Sequence, residues 1–235
     1  MTAITKSHWV ELILRIGIFL LALASYIVCR VTECELFKYI VNGIILVFFT
    51  YKMIARLIPN IKESMGNQKI FKKNYTPIEN LKKGIIEYNK KEGNRLALIV
   101  GIVWVLLNCI CFVLYFCGVI DRDLMMVIAM FFSVCDLICV LVICPFQKIF
   151  MRNKCCNTCR IYNWDFPMMF TPLWVVPSVL NYILVVQSFI VLGHWEWHHR
   201  KYSERFYEET NGCLSCSNCK ELMCKNRLRK VVSIK

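Results

Sequence analysis

Seven of the 15 cysteines lie in two polar clusters whose spacing suits metal or thiol chemistry. The first cluster contains Cys155, Cys156 and Cys159, and the second contains Cys213, Cys216, Cys219 and Cys224. Two cysteines separated by two residues can turn both sulfurs toward one metal ion, and two such pairs complete a four-ligand site. The spacing therefore predicts a metal site formed by the second cluster. The first cluster supplies a second site or supplementary ligands.

The second cluster resembles the cluster-binding loop of bacterial ferredoxins. Cys213, Cys216 and Cys219 follow that pattern, whereas Cys224 comes after four residues instead of three and precedes Lys225 instead of proline. This resemblance implies an iron–sulfur cluster, although a zinc ion suits the same spacing. We expect an iron–sulfur electron carrier at the membrane as the leading function.

Two other functions fit the same cysteines. With zinc in place of iron, the tail would be a rigid docking surface for a partner protein. Alternatively, Cys156 and Cys159 precede a Trp- and Pro-rich entry into an apolar segment. That placement resembles the quinone-linked thiol oxidoreductases of the vitamin K epoxide reductase type, and it implies thiol–disulfide exchange. Whether the chain is an enzyme stays open at this point.

Two histidines form a further candidate site. His194 and His198 are four residues apart at the end of the last apolar region, so a helix places both on one face. Such a pair could hold a haem or a metal ion. The same stretch, with Trp195 and Trp197, also fits an aromatic belt at the membrane interface.

One acidic residue, Asp136, lies in the middle of an apolar stretch. A carboxylate at that depth is costly unless it is paired, which makes it a functional candidate. The alternative is a structural contact with a polar side chain of another span, for which Arg15, Asn42 and Asn108 are available.

The elements that position these residues are membrane helices. Apolar residues make up 57% of the chain and charged residues 19%, which a soluble domain of 235 residues could not bury. We expect an all-α integral membrane protein with two transmembrane helical hairpins and a proline-broken fifth membrane segment. Its parts are the first hairpin (1–58), a basic loop with an amphipathic helix (59–95), the second hairpin (96–147), the first cysteine cluster (148–165), the fifth segment (166–198) and a basic, Cys-rich tail (199–235).

The amphipathic helix of the basic loop has its own sequence signals. Thr76 and Pro77 are typical of a helix start, and Gly93 is typical of a helix end. The spacing therefore predicts a short helix between these residues, either an interfacial helix on the basic side of the membrane or a solvated linker helix.

The distribution of charge predicts an orientation. Residues 51–95 contain eleven Lys and Arg, whereas each short link contains one. The positive-inside rule then places the N-terminus and the long loop in the cytoplasm. The fifth segment is either re-entrant or a full span, and nine Lys and Arg in residues 200–235 favour a cytoplasmic tail.

The expected partners follow from the same charge distribution. The net charge of +13 is confined to loops, which suits anionic lipid and not a nucleic acid. We therefore expect the lipid bilayer and a redox or docking protein as partners. The eight remaining cysteines are expected to pack as small apolar residues.

Overall fold

The computed structural model describes residues 2–32, 35–60, 63–78, 84–152, 155–219 and 221, and the chain is about 80% helical. Five long helices follow one another: α1 (Ala3–Thr32), α2 (Glu35–Leu57), α3 (Ile85–Phe116), α4 (Arg122–Leu141) and α5 (Val179–Lys201). Each has 20 residues or more and an apolar stretch, so each is long enough to cross a bilayer. The prediction of a helical, multi-pass membrane protein is confirmed at this level.

The outer faces of these helices are apolar. On α3, for example, Leu98, Leu106 and Ile110 are each more than 60% exposed, whereas Ala97 and Val100 face the protein. Contiguous exposed apolar surface on this scale is disfavoured in water and suits hydrocarbon. The bilayer is therefore the solvent of the helical bundle.

The core of the bundle lies between α1, α2, α4, α5 and the segment that connects α4 to α5. Ile45 and Phe49 of α2 are wholly buried beside Met130 of α4 and Phe166 and Phe170 of the connecting segment. The rings of Phe49 and Phe170 meet edge to face, with centroids 5.2 Å apart. The connecting segment is thus part of the core.

This segment enters the core as short turns. An α-helical turn, Asp165–Met169, is followed by a 3-10 helix, Thr171–Val175, which has Pro172 in its first turn. Proline lacks an N–H donor and is tolerated at a helix start but not in its interior. The predicted membrane segment 166–198 is accordingly a broken piece followed by the continuous helix α5.

The two ends of the described chain meet at one end of the bundle. The hydroxyl groups of Thr2 and Thr5 donate to the backbone carbonyl of Glu221, at 3.1 and 2.9 Å. At the opposite end, Arg30 near the C-terminal end of α1 pairs with Asp121, which precedes α4. The end of α1 and the start of α4 are therefore neighbours on the far side.

The start of α3 differs from the prediction. A short helix was expected between Thr76 and Gly93, but α3 begins at Ile85 and continues through Gly93 without a break. The residue before it, Gly84, has a left-handed backbone with a φ of 84°. Glycine inside a helix costs only about 1 kcal/mol relative to alanine, which a long apolar helix can absorb. Residues 79–83, which include part of the expected helix, lie outside the described residues.

Candidate functional site

A cavity of about 120 Å³ lies where the C-terminal part of α4 meets the first cysteine cluster. Five cysteines line it: Cys135, Cys139, Cys144, Cys156 and Cys159. The rest of its wall is mainly aromatic and Met side chains, together with the carboxyl groups of Asp136 and Asp165. The cavity thus combines thiols from α4 and its C-terminal end with thiols from the first cysteine cluster.

Helix α4 and its C-terminal end place the thiols of Cys135, Cys139 and Cys144. Cys135 and Cys139 are one helical turn apart and share the face of α4 that lines the cavity. Helix α4 ends at Leu141, and Pro145 then precedes a π-helical turn, Phe146–Met151. Cys144 lies in the bend between them, so its thiol can turn back toward Cys139.

Cys144 is held as a hydrogen-bond acceptor. Its sulfur accepts a hydrogen bond from the backbone N–H of Gln147, at 3.4 Å. This bond ties Cys144 to the π-helical turn that follows α4.

The thiols of Cys156 and Cys159 belong to a tight turn. The 3-10 helix Cys156–Thr158 brings the backbone N–H of Cys159 to the carbonyl of Cys156, at 2.9 Å. The Cys156 thiol donates to the side-chain carbonyl oxygen of Gln147, at 2.9 Å. Gln147 therefore contacts the sulfur of Cys144 through its backbone and the sulfur of Cys156 through its side chain.

A buried lysine fixes this turn. The ammonium group of Lys69 donates to the backbone carbonyls of Asn157 and Cys159, at 2.8 and 3.0 Å. It also lies over the rings of Trp195 and Phe206, with centroids at 5.1 and 5.4 Å. Lys69 is wholly buried, and burial lowers its pKa from 10.5 to about 7.

Asp165 contributes an unpaired acceptor to the cavity wall. Its Oδ2 accepts a hydrogen bond from Arg56 at 2.9 Å, and its side chain is only 5% exposed. Its Oδ1 is buried and has no hydrogen-bond partner among the described residues. A buried carboxylate oxygen without a donor is costly, so this atom is suited to a donor on a bound molecule.

Asp136 is paired with α1. Its Oδ2 accepts a hydrogen bond from the wholly buried Arg15 at 2.9 Å, and Arg15 also donates to Glu11 at 2.8 Å. Glu11 in turn pairs with Lys52 of α2 at 2.7 Å. Of the three partners considered for Asp136, the structure selects Arg15, and the Asn108 amide instead donates to the backbone of Trp104.

The second cysteine cluster is only partly within the described residues. Cys213 lies in the 3-10 helix Gly212–Leu214, and Cys216 begins the 3-10 helix Cys216–Asn218. Cys219 directly follows this second helix. Cys224, the fourth predicted ligand, lies outside the described residues. Within the part of the chain that is described, no three His, Cys, Asp or Glu side chains are placed so that they could hold a metal ion.

The tail is nevertheless anchored beside the first cluster. Glu221 accepts hydrogen bonds from the hydroxyl of Ser64 at 2.8 Å and from the backbone N–H of Met65 at 2.7 Å. The Ser64 hydroxyl also lies 3.3 Å from Oδ1 of Asn157, inside the turn of the first cluster. The two cysteine clusters are therefore on one side of the membrane bundle.

The predicted histidine pair is formed as the spacing suggested. The rings of His194 and His198 are on one face of α5, with centroids 4.3 Å apart, and Nδ1 of His198 is 2.9 Å from the carbonyl of His194. Nε2 of His194 is buried without a hydrogen-bond partner in the described part of the chain. Neither histidine lines the cysteine cavity.

The sequence did not single out several residues of the cavity. Cys139 and Cys144 were expected to pack as small apolar residues, and Asp165 was not among the candidate site residues. The position of Cys139 three residues after Asp136 on one span was the available signal, because both then face the same neighbours. Comparison of the chain with protein-family models, curated proteins and solved structures finds no match.

Proposed function

We propose that the chain is a membrane thiol–disulfide oxidoreductase in which the Cys156/Cys159 pair exchanges electrons with a small quinone-class molecule in the cavity. The observation that carries this proposal is that both cysteines line an apolar cavity that also contains an unpaired oxygen of Asp165. The dithiol loses two electrons and two protons and becomes a disulfide. The quinone gains them and becomes a quinol, so the reaction balances.

The cavity suits one ring of this kind. Its volume of about 120 Å³ is close to that of an apolar cavity, about 150 Å³, that binds benzene. The side chains of Trp104, Phe132 and Phe146 supply apolar surface for stacking. Oδ1 of Asp165 would accept a hydrogen bond from a quinol hydroxyl, which favours the reduced product in the site.

The same proposal includes an orientation. The side that carries the cysteine clusters also carries the basic residues of the long loop, and the positive-inside rule assigns it to the cytoplasm. The contact of Thr2 and Thr5 with Glu221 supports a tail on that side. Cytosolic thiols are kept reduced, so a soluble dithiol protein is the partner that reduces the Cys156/Cys159 pair again.

The test is anaerobic quinone reduction by the purified, pre-reduced protein in detergent. The probe is a fully substituted benzoquinone, which offers no ring position for direct thiol addition, and its absorbance reports reduction. We expect the wild type to reduce about one quinone per protein, and Cys156→Ser and Cys159→Ser to reduce at least tenfold less. Cys109→Ser, which removes an exposed thiol on the lipid-facing α3, is the matched control. Equal yields from all four proteins would contradict the proposal.

A metal-binding electron carrier is the second candidate, because Glu221 anchors the Cys-rich tail beside the first cluster. In this proposal the tail cysteines, with Cys156 and Cys159, hold an iron–sulfur cluster or a zinc ion. The pair His194/His198 would hold a haem. Zinc would make the tail a docking surface, since zinc has no redox chemistry.

Metal analysis of anaerobically purified protein separates these alternatives. Iron with acid-labile sulfide and a broad visible absorbance would support the electron carrier, and a Soret band would support haem. Zinc alone would support the docking surface. A protein without metal that still reduces the quinone would leave the thiol–disulfide oxidoreductase as the function.

A further inference from the structure

A second apolar space lies beside the cysteine cavity. It is a groove of about 410 Å³ between α3 and α5, and the segment that connects α4 to α5 forms its third wall. Helix α3 contributes Gly101 and Leu106, the connecting segment contributes Trp164 and Trp174, and α5 contributes Phe189. The ring centroids of Trp174 and Phe189 are 5.4 Å apart, so this α3/α5 groove has an aromatic wall on the side of α5.

The α3/α5 groove suits hydrocarbon. Its hydroxyl group, on Thr171, accepts a hydrogen bond from Nε1 of Trp104 and donates one to the backbone carbonyl of Pro167, both at 2.9 Å. At the rim, Leu106 is 61% exposed, and its side chain faces the bilayer. An empty gap of this size would forfeit van der Waals contacts along its whole lining, so an apolar chain is the occupant that the groove favours.

The groove and the cysteine cavity share part of their walls. Trp104 and Met168 line both spaces. The indole of Trp104 packs against Phe132 and Phe146 of the cysteine cavity, with ring centroids 5.0 and 5.8 Å apart. Met168 is unbranched and adapts to irregular spaces. A molecule bound in the cavity can therefore extend an apolar chain past Met168 into the groove.

We infer that the substrate is a lipid quinone, whose ring lies in the cysteine cavity and whose apolar tail lies in the α3/α5 groove. This inference rests on the proposed function and names its substrate class. The cavity of about 120 Å³ holds one ring, so a tail has to leave it, and the groove of about 410 Å³ is the apolar space that adjoins it. Lipid tails are as apolar as the groove, so the groove contributes position and not a gain from burial. A tail held there fixes the ring in the cavity that Cys156 and Cys159 line.

The test compares two quinones that differ only in the tail. Both have the same fully substituted benzoquinone ring, with a methyl group or a decyl chain at one ring position. Pre-reduced protein in vesicles reduces each quinone at increasing quinone content, and the half-saturating content is measured. Each variant is compared with the wild type in the same vesicles, so the partition of each quinone into the bilayer cancels in the ratio.

The groove is filled by Gly101→Leu. A Cβ atom at Gly101 would lie 3.4 Å from the ring of Trp164, so a larger side chain there occupies the groove. We expect the half-saturating content of the decyl quinone to rise about tenfold, because overfilling an apolar space costs at least that factor. The methyl quinone should be reduced as by the wild type, which also shows that the variant is folded. Gly17→Leu is the matched control, since a Cβ atom at this exposed glycine of α1 has no neighbour within 4 Å.

A second variant narrows the groove from its exposed rim, where a change of side chain carries little risk for folding. Leu106→Trp should also raise the half-saturating content of the decyl quinone alone. Its matched control is Leu107→Trp, because the adjacent Leu107 is 50% exposed and does not line the groove. If Gly101→Leu loses activity with both quinones, Leu106→Trp decides the result.

The outcomes separate the tail site from the proposed function. If Leu106→Trp leaves the decyl quinone unaffected, or affects both quinones equally, the tail site is overturned while the oxidoreductase proposal stands. A phospholipid with a photoreactive diazirine on its acyl chain tests the other occupant. Labelling of the groove that excess decyl quinone does not reduce would assign the groove to bilayer lipid and overturn the inference. If the wild type reduces neither quinone, the proposed function fails, and the tail site fails with it.

Discussion

At the scale of single residues, the buried Lys69 makes the stability of the fold depend on pH. Its pKa is lowered to about 7 by burial, so between pH 7 and 10.5 the unfolded chain binds a proton that the folded protein gives up. Stability from this group therefore rises with pH, by at most about 1.4 kcal/mol per pH unit, and is constant below the folded pKa. From pH 7 to 9 we expect the thermal midpoint of the wild type to rise relative to that of Lys69→Met.

The control for Lys69 is a neighbouring surface lysine. Lys72 is exposed on the same segment, and Lys72→Met should keep the pH dependence of the wild type. Parallel pH profiles for the wild type and Lys69→Met would mean that the buried amine does not lose its proton in this range.

At the scale of elements, α1 is tied to α4 by a buried ion pair. Arg15→Met leaves Asp136 without a partner and removes one partner of Glu11, so we expect a loss of about 3–5 kcal/mol. The double variant Arg15→Met/Asp136→Leu should lose less than the sum of the two single changes, because no unpaired Asp136 charge remains. Unfolding in mixed detergent micelles with increasing dodecyl sulfate measures these differences.

A matched surface pair on the same two elements provides the control. Arg30 at the end of α1 is 62% exposed and pairs with Asp121 at the start of α4. Arg30→Met should destabilise the protein much less than Arg15→Met does, because water screens the exposed pair. A similar loss for Arg15→Met would show that the buried pair does not hold α1 against α4.

The elements could be predicted from the sequence to the extent that they depend on local patterns. The five apolar stretches gave the helices, since length and composition alone decide what crosses a bilayer. Gly93 was misread because a local helix-stop signal is weaker than the long apolar helix around it. The cavity could not be predicted, since it depends on how the chain after Leu141 brings Cys144 to the cavity wall and how Lys69 fixes a turn 90 residues later.

At the scale of the whole molecule, the cysteine chemistry is concentrated at one end of the bundle. The outer turn of Cys156 and Cys159, the anchored tail and the start of α1 are all there. At the opposite end, Arg30 of α1 pairs with Asp121, which precedes α4. Under the proposed function the end with the cysteine clusters is the reactive side, and the contacts of Glu221 require residues 2–5 and the start of the tail to lie on it.

That requirement predicts the result of a topology measurement. Epitope tags before Thr2 and after residue 235 should both be accessible from the same side of sealed, inverted membrane vesicles, since the hydroxyls of Thr2 and Thr5 contact Glu221. A tag inserted after Gly118, in the link between α3 and α4, should be accessible only from the other side. Protease protection read by immunoblot measures all three. If the two terminal tags are instead protected in vesicles of opposite orientation, Glu221 cannot contact α1, and a single reactive side is excluded.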